Sequence, residues 1–472
     1  MAEFRQALNE YGVRLMVFRD RKRLENSDGA FNYVEFLRGF EIFQSLAQST
    51  TQASFIFEDA AGITGIFTGS EVIKIQVSTP NIDREWTFRS FKIGARARTK
   101  EETDVFQIDA VSEEFIKNET VNIFGHSRVI FQGKIEAKDI VEQLIRDERF
   151  IGSKKNLYLE DTVNQHAFVM PNWRPLDVIY WMLQRTVRKS SQTGGFQNGF
   201  CFFENDMGYH MKSFDRLIED IEEQSFGKET DFSTGKAQLY RYSYSEKNVD
   251  PQSDFLNITG FSFPKEKDSL EGLRHGCWSG YSVGFDPVSI SSSKMGLSRD
   301  MSTDAIKYNM DEVWSKMAHL NGKKTVNPIE QMDSDYKQML ATPKRVRYSM
   351  LSNQVFDPKF VDNPQANYQE QAELQAYQWM RIETLKNIQM NVTIPGNLDL
   401  YVGSGIQIEI PTAYTTREGK RTDMKYSGRY MIKSITHSFT GNEFQTELSL
   451  CKDSILKDKG TPSAPPVTTV NS

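Results

Sequence analysis

The residues best suited to chemistry in this sequence lie in the segment His275-Gly276-Cys277-Trp278-Ser279-Gly280, where a histidine precedes a cysteine by two positions. A cysteine beside an imidazole base is a common nucleophilic pair in enzymes. Residues two positions apart rarely face each other in that role, and no third group is evident that would orient the base. We therefore interpret the segment as a glycine-rich turn that buries Cys277 and Trp278.

The other reactive residue types do not form a recognisable motif. No histidine lies at a metal-ligand spacing from another or within a His-Glu-x-x-His helix. The glycine-rich phosphate-binding patterns and the Gly-x-Ser-x-Gly nucleophile pattern do not occur. Acidic residues are abundant, but no motif marks a carboxylate pair for glycan hydrolysis. We expect no catalytic residue, no cofactor and no metal, and a protein that is not an enzyme. The histidines considered are His126, His166, His210, His275, His319 and His437.

Composition indicates a large globular protein with a polar surface. Of 472 residues, 38% are hydrophobic and 25% charged, and 32 Phe with 18 Tyr suit β-rich packing. The net charge of −6 predicts no general nucleic-acid-binding face. Three separated cysteines (Cys201, Cys277 and Cys451) favour a reducing compartment over a disulfide framework. With no signal region and no apolar run of about 18–20 residues, we expect neither secretion nor membrane insertion.

The most regular pattern in the chain is a β-module that occurs twice. Each copy begins with a Gly-Ser turn and an alternating strand, Gly69–Val77 in the first and Gly403–Ile410 in the second. An aromatic-led strand and a third strand follow each of them. Because alternate residues of a strand share one face, the pattern predicts a set of core residues. These are Ile73, Ile75, Val77, Phe88, Ile406, Ile408, Tyr430 and Ile432.

We interpret the two copies as an ancient domain duplication with material inserted between them; two unrelated β-meanders are the alternative. The predicted fold class is α+β and β-rich, with two β-barrels, a small α+β domain and a loop and helix insertion. Helical periodicity at 137–146, 174–183 and 368–388 and a hairpin at 200–212 support this division. The predicted segments are an N-terminal arm (1–34), the first barrel (35–126), the α+β domain (127–236), the second barrel (237–263 and 388–455), the insertion (264–387) and an extended C-terminal tail (456–472).

The polar stretch between the second and third strands of the first module predicts an exposed hairpin tip. We expect this tip to project from the barrel towards a partner or a neighbouring chain. Its candidate interface residues are Lys100, Glu101, Glu102 and Asp104.

Short motifs follow one another along the chain in a defined order. They are Phe55–Asp59, Gly69–Val77, Ser112–Glu114, Arg174–Leu176, Phe202–Tyr209, Gly428–Ile432, Ile435–His437 and Thr446–Leu450. Their order, rather than any one signature, resembles that of the baseplate central hub proteins of contractile-tailed, T-even-like bacteriophages. The resemblance covers most of 35–260 and 388–455. The 264–387 insertion and the proline-rich tail depart from the shorter hubs, which leaves the peripheral partners open.

This resemblance implies a concrete assembly. Hub proteins of that family contain two tube-like β-barrels and form a homotrimer, a pseudo-six-fold ring between the hexameric tail tube and the trimeric cell-puncturing spike. The implied partners are the tail tube protein, the spike, the tape-measure protein and the baseplate wedge proteins. Genomic DNA would pass through the channel without specific binding.

The implied location is the virion tail baseplate after assembly in the host bacterial cytoplasm. Ring closure would also remove exposed sheet edges, which otherwise invite uncontrolled pairing. The alternatives are a spike-hub component of a related contractile injection system, such as a secretion system or tailocin, and a tail-associated peptidoglycan hydrolase.

Overall fold

The computed structural model describes residues 11–24, 33–80, 82–100, 103–189, 199–245, 255–264, 268–286, 291–292, 306–322, 325–342, 345–350, 361–416, 419–441 and 443–456. The expected C-terminal tail therefore lies outside the described residues, apart from Leu456 at its start. In chain order the strands are β1 (Gly12–Arg19), β2 (Lys22–Arg23), β3 (Leu37–Ser45), β4 (Gln52–Asp59), β5 (Val72–Ser78), β6 (Asp83–Lys100), β7 (Thr103–Ser112), β8 (Ile123–His126), β9 (Leu157–Leu159), β10 (Val169–Trp173), β11 (Phe200–Asn205), β12 (Gly208–Ser213), β13 (Tyr240–Ser243), β14 (Gly260–Ser262), β15 (Ser279–Asp286), β16 (Ser291–Ser292), β17 (Ile306–Asn309), β18 (Thr325–Val326), β19 (Val346–Met350), β20 (Ile388–Pro395), β21 (Gly405–Glu409), β22 (Pro411–Thr416), β23 (Gly419–Thr422), β24 (Gly428–Thr440), β25 (Glu443–Lys452) and β26 (Ile455–Leu456).

The helices begin where local chemistry favours them. Pro175 occupies the first turn of its helix, where its missing N–H is not needed, and the Ser213 hydroxyl accepts a hydrogen bond from the Arg216 amide at another helix start. The predicted helices and the predicted hairpin of β11 and β12 are confirmed. The α-helices are α1 (Glu113–Thr120), α2 (Ser127–Ile130), α3 (Ala137–Arg146), α4 (Pro175–Leu183), α5 (Phe214–Glu223), α6 (Ser269–His275), α7 (Met310–Trp314), α8 (Ser334–Ala341) and α9 (Pro364–Leu385), with 3-10 turns at Tyr33–Phe36, Ile63–Ile66 and Pro328–Gln331.

One sheet of thirteen strands carries both copies of the repeated pattern. Module one is the strand order β3-β4-β7-β6-β5-β1, and module two is the order β14-β20-β25-β24-β21-β13. The two modules are joined because β24 also pairs with β3, while β2 extends the far end of module one. Within the segment expected to be an N-terminal arm, β1 is a full member of this sheet and pairs antiparallel with β5.

The described strands do not close into two separate β-barrels, which corrects that part of the predicted fold class. Closing module one would require its end strands, β1 and β3, to pair with each other. The outer edge of β3 is instead hydrogen-bonded to β24 of module two. Module one still curls around one core, because Leu15 of β1 and Ile42 of β3 belong to the same buried cluster.

Alternation along the strands determines which residues are buried. All eight residues proposed from sequence as core residues have at most 1% of their surface exposed. Full burial of an aliphatic side chain of this size contributes about 1.5–3 kcal/mol. Ile73, Ile75, Val77 and Phe88 lie in the module one core. Ile406, Ile408, Tyr430 and Ile432 lie in the module two core.

Two further layers surround the sheet. The small α+β domain packs α3 and α4 against the three-stranded sheet β11-β12-β9. The insertion has its own sheet, in which β15 pairs with β16, β17 and β19, and α9 packs on β15. Pairing of β18 with β26 connects the insertion to the end of module two. Within the described part of the chain, no helix is long and apolar enough to cross a membrane.

Candidate assembly interface

The joint between the two modules is built like a protein core. Residues Gly39–Ser45 of β3 pair antiparallel with Ser434–Thr440 of β24. The rings of Phe40 and Phe439 stack with centroids 4.2 Å apart and an interplanar angle of 14°. A Cβ atom at Gly39 would lie 2.7 Å from the Phe439 carbonyl oxygen, so glycine is required for this close approach. The joint is therefore a packed contact rather than a flexible hinge.

The edge of β24 used at this joint also carries a second strand. Gly428–Met431 of β24 pair with β21, and after a bulge at Lys433 the strand continues along β3. Strand β6 of module one has the same form. Asp83–Arg89 pair with β5, a bulge follows at Phe91, and the strand then continues to Lys100. Two further bulges, between Ile93 and Arg96 and between Arg98 and Lys100, distinguish β6 from β24, whose pairing with β25 shifts once. Among the described residues, no strand pairs with that edge of β6 beyond the bulge.

The strand registers of the two modules also correspond. Ile73 and Ile75 lie opposite Phe88 and Trp86 in module one. Ile406 and Ile408 lie opposite Tyr430 and Gly428 in module two. The bulge falls in each case directly after a matching pair, Ser90 with Ala110 and Ile432 with Leu450. One difference concerns the last strand, because β1 is antiparallel to β5 whereas β13 is parallel to β21.

The Gly-Ser turns that begin the modules share a backbone conformation but differ in what supports them. Gly69 and Gly403 have φ values of 84° and 82°, in the left-handed region that favours glycine. In module one the fully buried Glu71 carboxylate accepts hydrogen bonds from the amides of Thr68, Gly69 and Ser70. Burial alone would raise the pKa of Glu71, but hydrogen bonds from Arg19 and Thr68 outweigh it and lower that pKa to about 2.

Module two has no carboxylate at its turn and is supported by the small domain instead. The Gln224 side chain, just after α5, accepts a hydrogen bond from the Gly405 amide at 3.0 Å. Phe203 of β11 lies so close to Gly403 that an added Cβ atom would be 2.7 Å from its ring. Leu217 and Ile221 of α5 belong to the module two core. The turn of module two therefore depends on a separate domain.

The tip of the β11–β12 hairpin reaches between the modules. The Asp206 carboxylate accepts hydrogen bonds from Trp86 of β6 at 2.8 Å and from Gln44 of β3 at 2.5 Å. Glu204 accepts one from the Thr51 amide at 2.9 Å, and the Asn205 amide group donates to the Val402 carbonyl at 3.1 Å. The sequence predicted these residues as a hairpin turn and as part of a motif that resembles hub proteins, but not their contacts with the two modules. The acidic side chains of Glu204 and Asp206 before the hairpin glycine were the available signal.

A buried ionic cluster ties the insertion to the rest of the chain. The guanidinium of Arg381 on α9 is fully buried and lies 3.0 Å from Asp453 and 3.2 Å from Asp215. His319 lies 2.7 Å from the same Asp453 carboxylate. Burial would raise the pKa of Asp453, but the hydrogen bond from His319 and the charge of Arg381 outweigh it and lower that pKa. Four chain segments therefore meet at one set of charges.

The hairpin-tip residues are only partly within the described structure. Lys100 ends β6 opposite Thr103, whereas Glu101 and Glu102 lie outside the described residues. Asp104 is 8% exposed and accepts hydrogen bonds from the guanidinium groups of Arg96 and Arg98, which lower its pKa. Its side chain is engaged within the module. The role of this tip as an interface stays a prediction.

Of the residues considered for chemistry, Cys277, His166 and His437 are buried, whereas His275 is exposed. Cys277 is 1% exposed, and burial raises the pKa of its thiol to about 12, which keeps it protonated near neutral pH. Burial lowers the pKa of His166 to about 3 and that of His437 to about 4, so both are neutral there. In the described ranges, no group of three His, Cys, Asp or Glu side chains could hold a metal ion.

Comparison with solved structures identifies the fold. The chain aligns with a tail protein from Neisseria meningitidis MC58 at a TM-score of 0.50 and 9% identity, over 94% of this chain and 97% of that one. It aligns with the 43 kDa tail protein of prophage MuSo2 from Shewanella oneidensis at a TM-score of 0.51 and 8% identity, over 94% and 99%. No protein-family model and no curated protein matches the sequence. The chain therefore has the fold of phage tail proteins.

Proposed function

We propose that this chain is the structural hub of a phage tail baseplate, a trimeric adaptor between a hexameric tail tube and a trimeric cell-puncturing spike. The observation that carries the proposal is the internal correspondence of the two modules. Both follow the same six-strand order and have a bulge at the same place. Three chains with two such modules each present six similar units, which is what a three-fold adaptor to a six-fold tube requires.

We infer that the modules arose by duplication of one domain. Shared strand order, matching register and the two glycine turns support a common origin, since unrelated meanders would not be expected to agree in all three. The residues that differ between the copies give each face of the ring its own surface. In this proposal the tube ring contacts one face and the spike the other, with tape-measure and baseplate wedge proteins as further partners.

The role is structural rather than enzymatic. The proposal assigns no catalytic residue and no cofactor, and genomic DNA passes through the central channel without specific binding. The net charge of −6 per chain supports this, because a negatively charged ring repels DNA rather than holding it. The site of action is the virion tail after assembly in the host bacterial cytoplasm.

The experiment is to purify the full chain and measure its mass by analytical ultracentrifugation, with class averages from electron microscopy. We expect a species of three 54.3 kDa chains and rings with six similar lobes. A stable monomer at high concentration, with no rings alone or after addition of the spike protein, would contradict the proposal. A zymogram on peptidoglycan tests the absence of hydrolase activity, and a lytic band would contradict that part.

A further inference from the structure

We propose that the edge of β6 beyond its bulge, Lys92–Lys100, pairs antiparallel with β14, Gly260–Ser262, of a second copy of this chain. This contact between chains would repeat the contact that joins β24 to β3 within one chain. The inference takes the self-assembly of the proposed function as given and names the surfaces that carry it.

The two edges are available in one chain. Strand β14 pairs with β20 on one side and is the terminal strand of the sheet among the described residues. Of the strands that the structure describes, β7 alone pairs with β6 beyond its bulge. These strands correspond in position to β3 and β24, the two strands that form the internal joint. Strand β6 of module one corresponds to β24, and β14 of module two corresponds to β3. The chain therefore has a second copy of each strand that forms the joint.

The register follows from the correspondence of the modules. Ile108 in β7 and Leu448 in β25 occupy the same place, opposite Phe55 in β4 and Val392 in β20. Three residues before these positions lie Val105 in β7 and Gln445 in β25. Val105 pairs with Ala97 and Gln445 pairs with Ser438, so Ala97 corresponds to Ser438.

The partner strand is aligned in the same way. Ser262 corresponds to Glu41, because they pair with Asn391 and Ser54. Within the chain, Ser438 lies opposite Glu41. The register between chains therefore places Ala97 opposite Ser262.

The residues at the β6 edge suit a covered contact. Phe91, at the bulge, is 51% exposed and Ile93 is 37% exposed, whereas module two has Lys433 at its bulge. In the proposed register Phe261 lies opposite Arg98, so an arginine–aromatic contact replaces the stacked rings of the internal joint. Basic residues and bulges on β6 would also keep a free edge soluble before assembly.

The contact is heterologous, since each chain offers one β6 edge and one β14 edge. Repeated heterologous contacts close into a ring or extend as a filament, depending on the rotation between neighbours. The rigid internal joint fixes that rotation for half of the contacts. A ring with alternating internal and intermolecular joints therefore follows if both joints share one geometry.

Disulfide trapping tests the register directly. The double variant Ala97→Cys with Ser262→Cys places two cysteines on adjacent strands, where Cα atoms are about 4.5–5.5 Å apart and a disulfide can form. We expect oxidation to give covalent dimers and trimers on a non-reducing gel. The matched positive control is Glu41→Cys with Ser438→Cys, which should close a disulfide within one chain and leave a monomer band.

The negative control keeps one position and shifts the other along the same edge. Lys92→Cys with Ser262→Cys moves the cysteines out of register by roughly 13 Å. We expect no intermolecular band from this pair, and none from the wild-type cysteines. Rings that form without cross-links in the first pair, or with equal cross-links in both pairs, would overturn the register and leave the proposed function standing. A monomer in every variant and in the wild type would overturn both.

A charge pair gives a second readout that does not depend on oxidation. In the same register, Phe261→Lys would place a positive charge opposite Arg98 of the neighbouring chain, whereas Phe261→Glu would place a negative one, and both variants lose the same aromatic ring. We expect the lysine variant to raise the dissociation constant of self-association about twofold to fivefold more than the glutamate variant does. Equal effects of both substitutions would count against this contact.

Discussion

Modules one and two share a strand order, but different side chains support their Gly-Ser turns. Module one closes its Gly-Ser turn with its own carboxylate, Glu71, whereas module two relies on Gln224 and Phe203 of the small domain. Strand order and register are properties of the backbone ladder and survive large changes in side chains. The contacts around a turn are made by side chains and diverge freely. The comparison shows that the small domain has become part of the module two core.

The largest expected effect comes from placing a charged side chain in the core of each module. Ile75→Asp and Ile408→Asp each place a carboxylate where the native side chain is fully buried. We expect each to cost several kcal/mol and to prevent folding, because no partner is present for the charge. Lys74→Asp and Gln407→Asp, one residue earlier on the other face, are the controls. Soluble expression and a cooperative melt of either isoleucine variant would show that the strand faces are misassigned.

The next test separates the two turns. Gly403→Ala combines left-handed backbone strain with a clash against Phe203, and we expect a loss of about 2–4 kcal/mol. Gly69→Ala meets only Ile93 at 3.7 Å, and strain alone should cost about 1–2 kcal/mol. Urea unfolding midpoints measure the difference. Equal losses would mean that Phe203 does not restrict the module two turn.

The pH dependence of stability should differ between the modules. Because the folded pKa of Glu71 is lowered from 4.5 to about 2, its contribution is present above the unfolded pKa and is lost as the pH falls from about 4.5 towards 2. Glu71→Gln should therefore lose stability at pH 7 and lose less between pH 5 and pH 3 than wild type. Hydrogen exchange of the amides at the two Gly-Ser turns measures the pH dependence of stability separately for each module. The module two turn should be the less affected, since Ser404 and Gln224 do not titrate.

The smallest effect is expected from exchanging the two bulge residues. Phe91→Lys and Lys433→Phe alter exposed side chains, so each should change the free energy of unfolding by less than about 0.5 kcal/mol. Phe91→Lys should nevertheless weaken assembly, because it removes an exposed aromatic ring beside the free β6 edge. Thermal melting and sedimentation of the same samples measure both. A large loss of stability in Phe91→Lys would place that ring in the core of its own chain.

Sequence periodicity was sufficient to predict the features of the fold that depend on neighbouring residues alone. Alternation at Ile73 and Ile75, and at Ile406 and Ile408, identified buried faces because burial follows the two-residue period of a strand. Helical periodicity likewise identified α3 and α4. Each of these features is decided within about ten residues of chain. The repeated order of strands could be recognised because it needs only a list of such features.

The interface could not be predicted because it is decided by distant pairings. Nothing near Phe40 indicates that its edge is taken by Phe439, and the expectation of closed barrels failed for this reason. The parallel direction of β13 against β21 has no local signal either. At the Asp206 turn the sequence shows polarity, while its partners Trp86 and Gln44 are more than a hundred residues away.

The joint between β3 and β24 can form only late in translation, because the two strands lie near opposite ends of the sequence. Its strands are roughly 400 residues apart in sequence, and at about 5–20 residues per second the ribosome needs roughly 20–80 s to supply the second after the first. Until then β3 has an unsatisfied edge, and the module one core lacks Leu398, Phe439 and Phe444. We therefore expect nascent module one to expose this edge and part of its core during nearly the whole of translation, which favours aggregation or chaperone binding. Slowing translation late in the message should increase aggregation more than slowing it early.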